Sequence, residues 1–152
     1  MPEPAGSAPL RPPFAHVPGR NARHPEGRFD AVKDSVEGVS LDVLHRTQAF
    51  RTGLIWLEEG YYWECHEVLE PVWMRTPDPS PERSMVQALI QLANARLKLR
   101  MDRPGAARRL CGITAGHLAS CPGDAVILGL RVGTVAEMLE ETSTALNKQY
   151  NA

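Results

Sequence analysis

Apolar residues recur at three- and four-residue spacing over most of the chain from Val39 onward, and that rhythm predicts helices. Phe50, Gly53, Leu54 and Leu57 form one such set, closed by Gly60 where a left-handed cap would sit. A second helix is expected over about residues 61–74. The run RTPDPSPE reads as a loop, with Ser80 as N-cap and Pro81 at the first helical position. The third helix, over about 81–101, carries Val86, Leu89, Ile90, Ala93 and Leu97 on one face. Ala88, Leu92, Ala95 and Leu99 cover much of the rest, so this helix should be the most buried. Pro104 opens a fourth helix through about Ala119, rich in small residues. After CPGD, the set Leu128, Val132, Val135, Leu139, Thr142 and Leu146 marks a fifth. No segment shows sustained strand alternation. The expected fold is all-α, a compact bundle of about five helices with an extended Pro-rich N-terminal arm.

Seven of the 13 prolines fall within the first 25 residues, where they exclude a helix. The organisation expected is therefore an extended, partly disordered arm over 1–38, a helical bundle domain over 39–148 and a tail over 149–152. Phe14, Val17, His24 and Phe29 would have little use in a purely solvated arm. They leave docking on the folded body open beside a free tail.

Composition narrows the function classes. The 152 residues are 43% hydrophobic and 23% charged with a formal net charge of −1, which excludes a wholly disordered chain and argues against a non-specific polyanion binder. The sequence lacks an apolar run of the roughly 18 residues a membrane span needs. The N-terminus does not read as a signal peptide, and three cysteines without a CxxC pair suit reduced thiols, so a cytoplasmic location is expected.

The chemically unusual stretch is GYYWECHEVLEPVW, residues 60–73. At about 100° per residue, Val72, Cys65, Leu69, Tyr62, Trp73 and His66 make one stripe with His66 at its edge. Glu70 follows around the helix, then Trp63 and Glu67, while Glu64 and Pro71 fall on the far side. Residues 58–70 hold five carboxylates and neither Lys nor Arg. Pro71 should kink or end the helix, freeing the carbonyl of Glu67.

The run from Gly60 to Glu67, continued by Leu69, Glu70 and Trp73, resembles the signature of domain-of-unknown-function family 309: glycine, aromatics, Glu, a small residue, His-Glu, Leu-Glu, then Trp. Gln87 to Ala93 resembles its second motif, and Gly105, Ala106 and Leu110 its third. The resemblance extends over about residues 45–146. It implies a small all-α bundle and no established activity.

Several functions remain open on the residues. His66, Glu67 and Glu70 invite comparison with HExxH, but a third ligand at a telling spacing is missing, so no metal and no cofactor is expected. His66 beside Glu70 could act as a general base in a small hydrolase-like enzyme, metal-assisted or not. A structural or binding network is the leading reading: Glu64, His66, Glu67, Glu70, Tyr62, Trp63 and Trp73 on the second helix, with Gln87 and Gln91 on the third, as a semi-buried polar cluster. Its partner would be an unknown protein or a small polar ligand, with a homo-oligomer left open. Six cations between Arg96 and Arg109 offer a nucleic-acid footprint. The near-neutral net charge and an acidic set of similar size on the second helix make that the weakest reading.

Overall fold

The computed structural model describes residues 11–150. The outermost residues of the arm (1–10) and of the tail (151–152) lie outside the described residues. The chain divides into two compact units, the first ending at Thr76 and the second beginning at Pro77.

In the first unit, residues 11–29 contain turns but no helix, as their prolines require. Helical structure begins with the single turn α1 (Asp30–Lys33), followed by short 3-10 segments at Asp34–Val36 and Leu41–Arg46. Helix α2 (Gln48–Glu59) starts where the Thr47 hydroxyl accepts the Phe50 amide. It ends at Gly60, whose φ of 89° is the left-handed cap that glycine adopts without a Cβ penalty. The amide of Tyr61 donates to the carbonyl of Trp56 at 2.9 Å, turning the chain straight into α3 (Tyr62–Met74). Phe50, Trp56 and Leu57 on α2 and Cys65, Val68, Leu69 and Val72 on α3 are buried. The two helices pack so closely that Gly53 of α2 leaves no room for a side chain against Leu69.

Pro71 does not end α3. The helix continues one turn to Met74, the buried packing of Val68, Leu69 and Val72 outweighing the lost bond to the Glu67 carbonyl and the crowding of the ring against it. The buried face is also rotated from the expected one. It runs through Glu64, Cys65, Val68, Leu69 and Val72, leaving His66 and Trp73 at intermediate exposure.

In the second unit, Ser80 caps α4 (Pro81–Arg100) through its hydroxyl, which accepts the Arg83 amide at 3.0 Å. Replacing Ser80 by alanine should cost about 1 kcal/mol in a chemical unfolding series. A variant as stable as wild type would show that Pro81 alone starts this helix. Helix α4 buries Met85, Val86, Ala88, Leu89, Ile90, Leu92, Ala93, Ala95 and Leu97, covering most of its circumference. It packs chiefly on α5 (Pro104–Ala119), which presents Ala107, Cys111, Thr114 and Leu118 at alternating four- and three-residue steps.

The last helix, α6 (Val132–Tyr150), begins later than its apolar periodicity suggests. Leu128 belongs to a hairpin between β1 (Val126–Ile127) and β2 (Leu130–Arg131), with Ile127 paired to Leu130. Its two loop residues, Leu128 and Gly129, have φ of 52° and 75°, the positive values a tight two-residue hairpin turn demands. Arg96 donates from Nε to the Thr142 hydroxyl and from Nη2 to the Met138 carbonyl, tying α4 to α6. Among the described residues, the regular secondary structure is thus helical apart from this hairpin. None of its helices is long and apolar enough to cross a membrane.

Candidate functional site

The polar centre of the first unit is Glu64, placed by its position on α3 beneath residues 14–29. Its side chain is 0% exposed, whereas helical periodicity alone puts it on the solvent side. The difference comes from residues 14–29, which pack over that side of the helix and remove it from water. Both of Glu64's donors reach the same oxygen. The backbone N–H of His16 donates to Oε2 at 2.7 Å and Nε2–H of His24 donates to Oε2 at 2.6 Å. With Nε2 carrying the proton that binds the carboxylate, Nδ1 of His24 is buried without a partner, and so is Oε1 of Glu64. A buried polar atom left unpaired costs about 1–3 kcal/mol. The closed arrangement carries two.

Aromatic rings surround this pair. Phe14 stacks on the His24 imidazole at 4.4 Å with an interplanar angle of 17°, and Phe29 meets it edge-on at 5.1 Å. His16 stands edge-on to the Trp63 indole at 4.9 Å, and Phe29 extends the cluster to Trp56 at 5.3 Å. Local polar contacts shape the covering segment. Asn21 accepts from the Val17 amide at 2.9 Å and donates to the Ala15 carbonyl at 2.9 Å. Nδ1–H of His16 donates to Asn21 Oδ1 and to the Ala22 carbonyl, each at 3.1 Å. The segment therefore arrives at α3 with a defined shape.

Beside the pair lies an open cleft of about 640 Å³. Residues Arg23–Phe29 form one wall, Asp30 and Lys33 of α1 the next, and Trp63 and Glu67 of α3 the opposite one. Arg23, Arg28 and Lys33 supply three cations; Glu26, Asp30 and Glu67 supply three carboxylates. Lys33 reaches across to Glu67 at 3.2 Å, and the Arg23 guanidinium sits 5.8 Å from the centre of the Trp63 ring. Such a charge-balanced rim around an indole offers charged groups of both signs and an aromatic face to a polar ligand.

The residues expected to form one cluster separate into several environments. Glu64 is the buried anchor. Trp63 and Glu67 line the cleft. His66 and Glu70 face outward with side chains 33% and 55% exposed, joined by a contact of 3.2 Å from Nε2 to Oε2. An exposed pair four residues apart on a helix is worth about 0.3–0.5 kcal/mol. His66→Ala should accordingly shift the thermal melt hardly at all, and a large drop would mean that His66 has a structural task its exposure does not reveal. Tyr62 and Trp73 are half-buried on α3. Gln87 and Gln91 belong to α4 in the second unit, where Gln91 accepts from Asn94 at 3.2 Å. Among the described residues no group of three or more His, Cys, Asp or Glu side chains is gathered in a way that could hold a metal ion. Burial raises the thiols of Cys111 and Cys121 above the ordinary range, which disfavours their nucleophilic thiolate forms.

Sequence reasoning missed His16 and the cleft cations Arg23, Arg28 and Lys33. A signal was present. Five carboxylates in residues 58–70 without a local cation need donors from elsewhere, and residues 11–33 carry five Arg or Lys and two His among apolar residues.

Residues 50–110 match a family described as Domain of unknown function (DUF309), over the region that holds α3 and α4. No curated protein and no solved structure matches the chain.

Proposed function

We propose that the chain, which carries a DUF309 domain over residues 50–110, is a non-enzymatic binding module for a small zwitterionic ligand held in the cleft between residues 23–33 and α3. The observation that carries this reading is the lining of the cleft: three cations, three carboxylates and the Trp63 indole around about 640 Å³. A polyanion would meet as many carboxylates as cations there. A small molecule with an ammonium at one end and a carboxylate at the other can satisfy both signs, with its apolar part against the indole.

The test is a fluorescence titration of the full chain with glycyl-phenylalanine, using Trp63→Phe to identify the reporting indole. Saturable quenching is expected. It should weaken about ten-fold or more when the peptide amine is acetylated or its carboxylate amidated, as loss of one charge-assisted hydrogen bond implies. Equal binding of the capped peptides, or no saturable change with the free one, would overturn the reading.

A further inference from the structure

We infer that residues 11–29 form a strap that opens as a unit, building this cleft when closed and abolishing it when open, with the carboxylate of Glu64 as its latch. Depth is the first support. The apolar anchors of the strap are shallow, Val17 and Phe29 remaining at the margin of burial, whereas Trp56, Leu57, Cys65, Val68 and Leu69 beneath them are fully enclosed. The deep attachment is polar: His16 N–H and His24 Nε2–H both converge on one oxygen of Glu64. A second support is the pair of buried atoms without partners, His24 Nδ1 and Glu64 Oε1. Opening returns both to water, so the closed strap is penalised in a way that the helices under it are not. A charged tie from Arg11 to Glu59 at 2.7 Å is exposed and adds little.

The consequence for the cleft is geometric. One of its walls is Arg23–Phe29, which belongs to the strap, and the opposite wall, Trp63 and Glu67, belongs to α3. The cleft exists only while the strap is closed. A ligand that touches both walls binds the closed form alone and draws the equilibrium toward it. Glu64 and His24 thereby act as positioning residues for the cleft without lining its far wall. This role for the cleft rests on the binding reading above, but the opening of the strap does not.

Limited trypsin digestion of the full chain under native conditions tests the strap directly, through cleavage after Arg23 and Arg28. Such sites are cut when a segment detaches locally. Wild type should be cut there slowly, at a rate nearly independent of urea well below the unfolding transition. Glu64→Gln keeps the shape and removes the charge, and should be cut at least ten-fold faster with its helical circular dichroism unchanged. His24→Gln should behave in the same way and serves if the first variant does not fold, while His66→Ala should be cut at the wild-type rate. Cleavage of the Gln variants no faster than wild type would overturn the strap, as would wild-type cleavage that follows global unfolding. Failure of glycyl-phenylalanine to bind or to slow cleavage in wild type would remove the ligand reading and leave the cleavage result standing.

Discussion

Glu64→Ala is expected to produce a large loss of stability. Deleting the acceptor costs about 1–3 kcal/mol for each buried donor left without a partner. Here the abandoned groups would be the His24 imidazole and the His16 amide. The loss should stop at the point where residues 11–29 leave the body and their polar groups return to water. Chemical unfolding followed by tryptophan fluorescence reads the size of the effect. A double variant, Glu64→Leu with His24→Phe, should recover part of it, since an apolar pair removes the His24 and Glu64 desolvation costs and their two unpaired atoms, while the His16 amide still lacks its acceptor. Equal stabilities for the alanine variant and wild type would mean that the carboxylate is not closed off from water at all.

The second large effect belongs to Gly53. A Cβ built at this position would lie 2.6 Å from Cγ of Leu69, far inside contact distance. Leu69 is fully buried. Overpacking of this kind costs about 1–3 kcal/mol, with the severe overlap pointing to the upper part of that range. Alanine's better helix propensity returns up to about 1 kcal/mol, so Gly53→Ala should lose roughly 1–2 kcal/mol net. Gly112 is the control. It also lies mid-helix, yet a Cβ there meets nothing within 4 Å, so Gly112→Ala should gain stability from propensity alone. If both substitutions stabilise, the close approach of α2 and α3 is not as tight as their geometry implies.

These two positions also show what was legible along the chain. Gly53 stood out only as one member of an apolar series, and its true importance is a distance to a residue 16 positions away. Periodicity alone puts Glu64 on the solvent face because it treats a helix as having one buried side. Helix α3 has two covered sides, one against α2 and one against the strap. The helices, the Ser80 cap and the Gly60 stop followed from local chemistry, since caps and turns are satisfied by residues within a few positions. The hairpin at 126–131 is not legible in the sequence, because two-residue strands leave too short an alternation to read. Leu128 also fits a helical series as well as it fits a turn.

The expected polar cluster divides along the same line. His66 and Glu70 meet as neighbours four residues apart, a pairing any α-helix enforces. The contacts that build the buried centre join residues 40 and 48 positions apart, and Lys33 finds Glu67 across 34. No spacing rule reaches that far.

By itself, the sequence determined the helical periods, their caps and breaks, the non-helical course of the Pro-rich segment and the lack of local cations around the carboxylates of residues 58–70. Each follows from dihedral limits and hydrogen bonds satisfied within a few residues. Only the tertiary structure decided that Glu64 is buried, that His16 and His24 are its donors, and that three cations and an indole enclose a cleft. Those outcomes depend on which surface of α3 the N-terminal segment covers. That choice is made by apolar rings and donors meeting across the chain, where removal from water sets the strength of every polar contact.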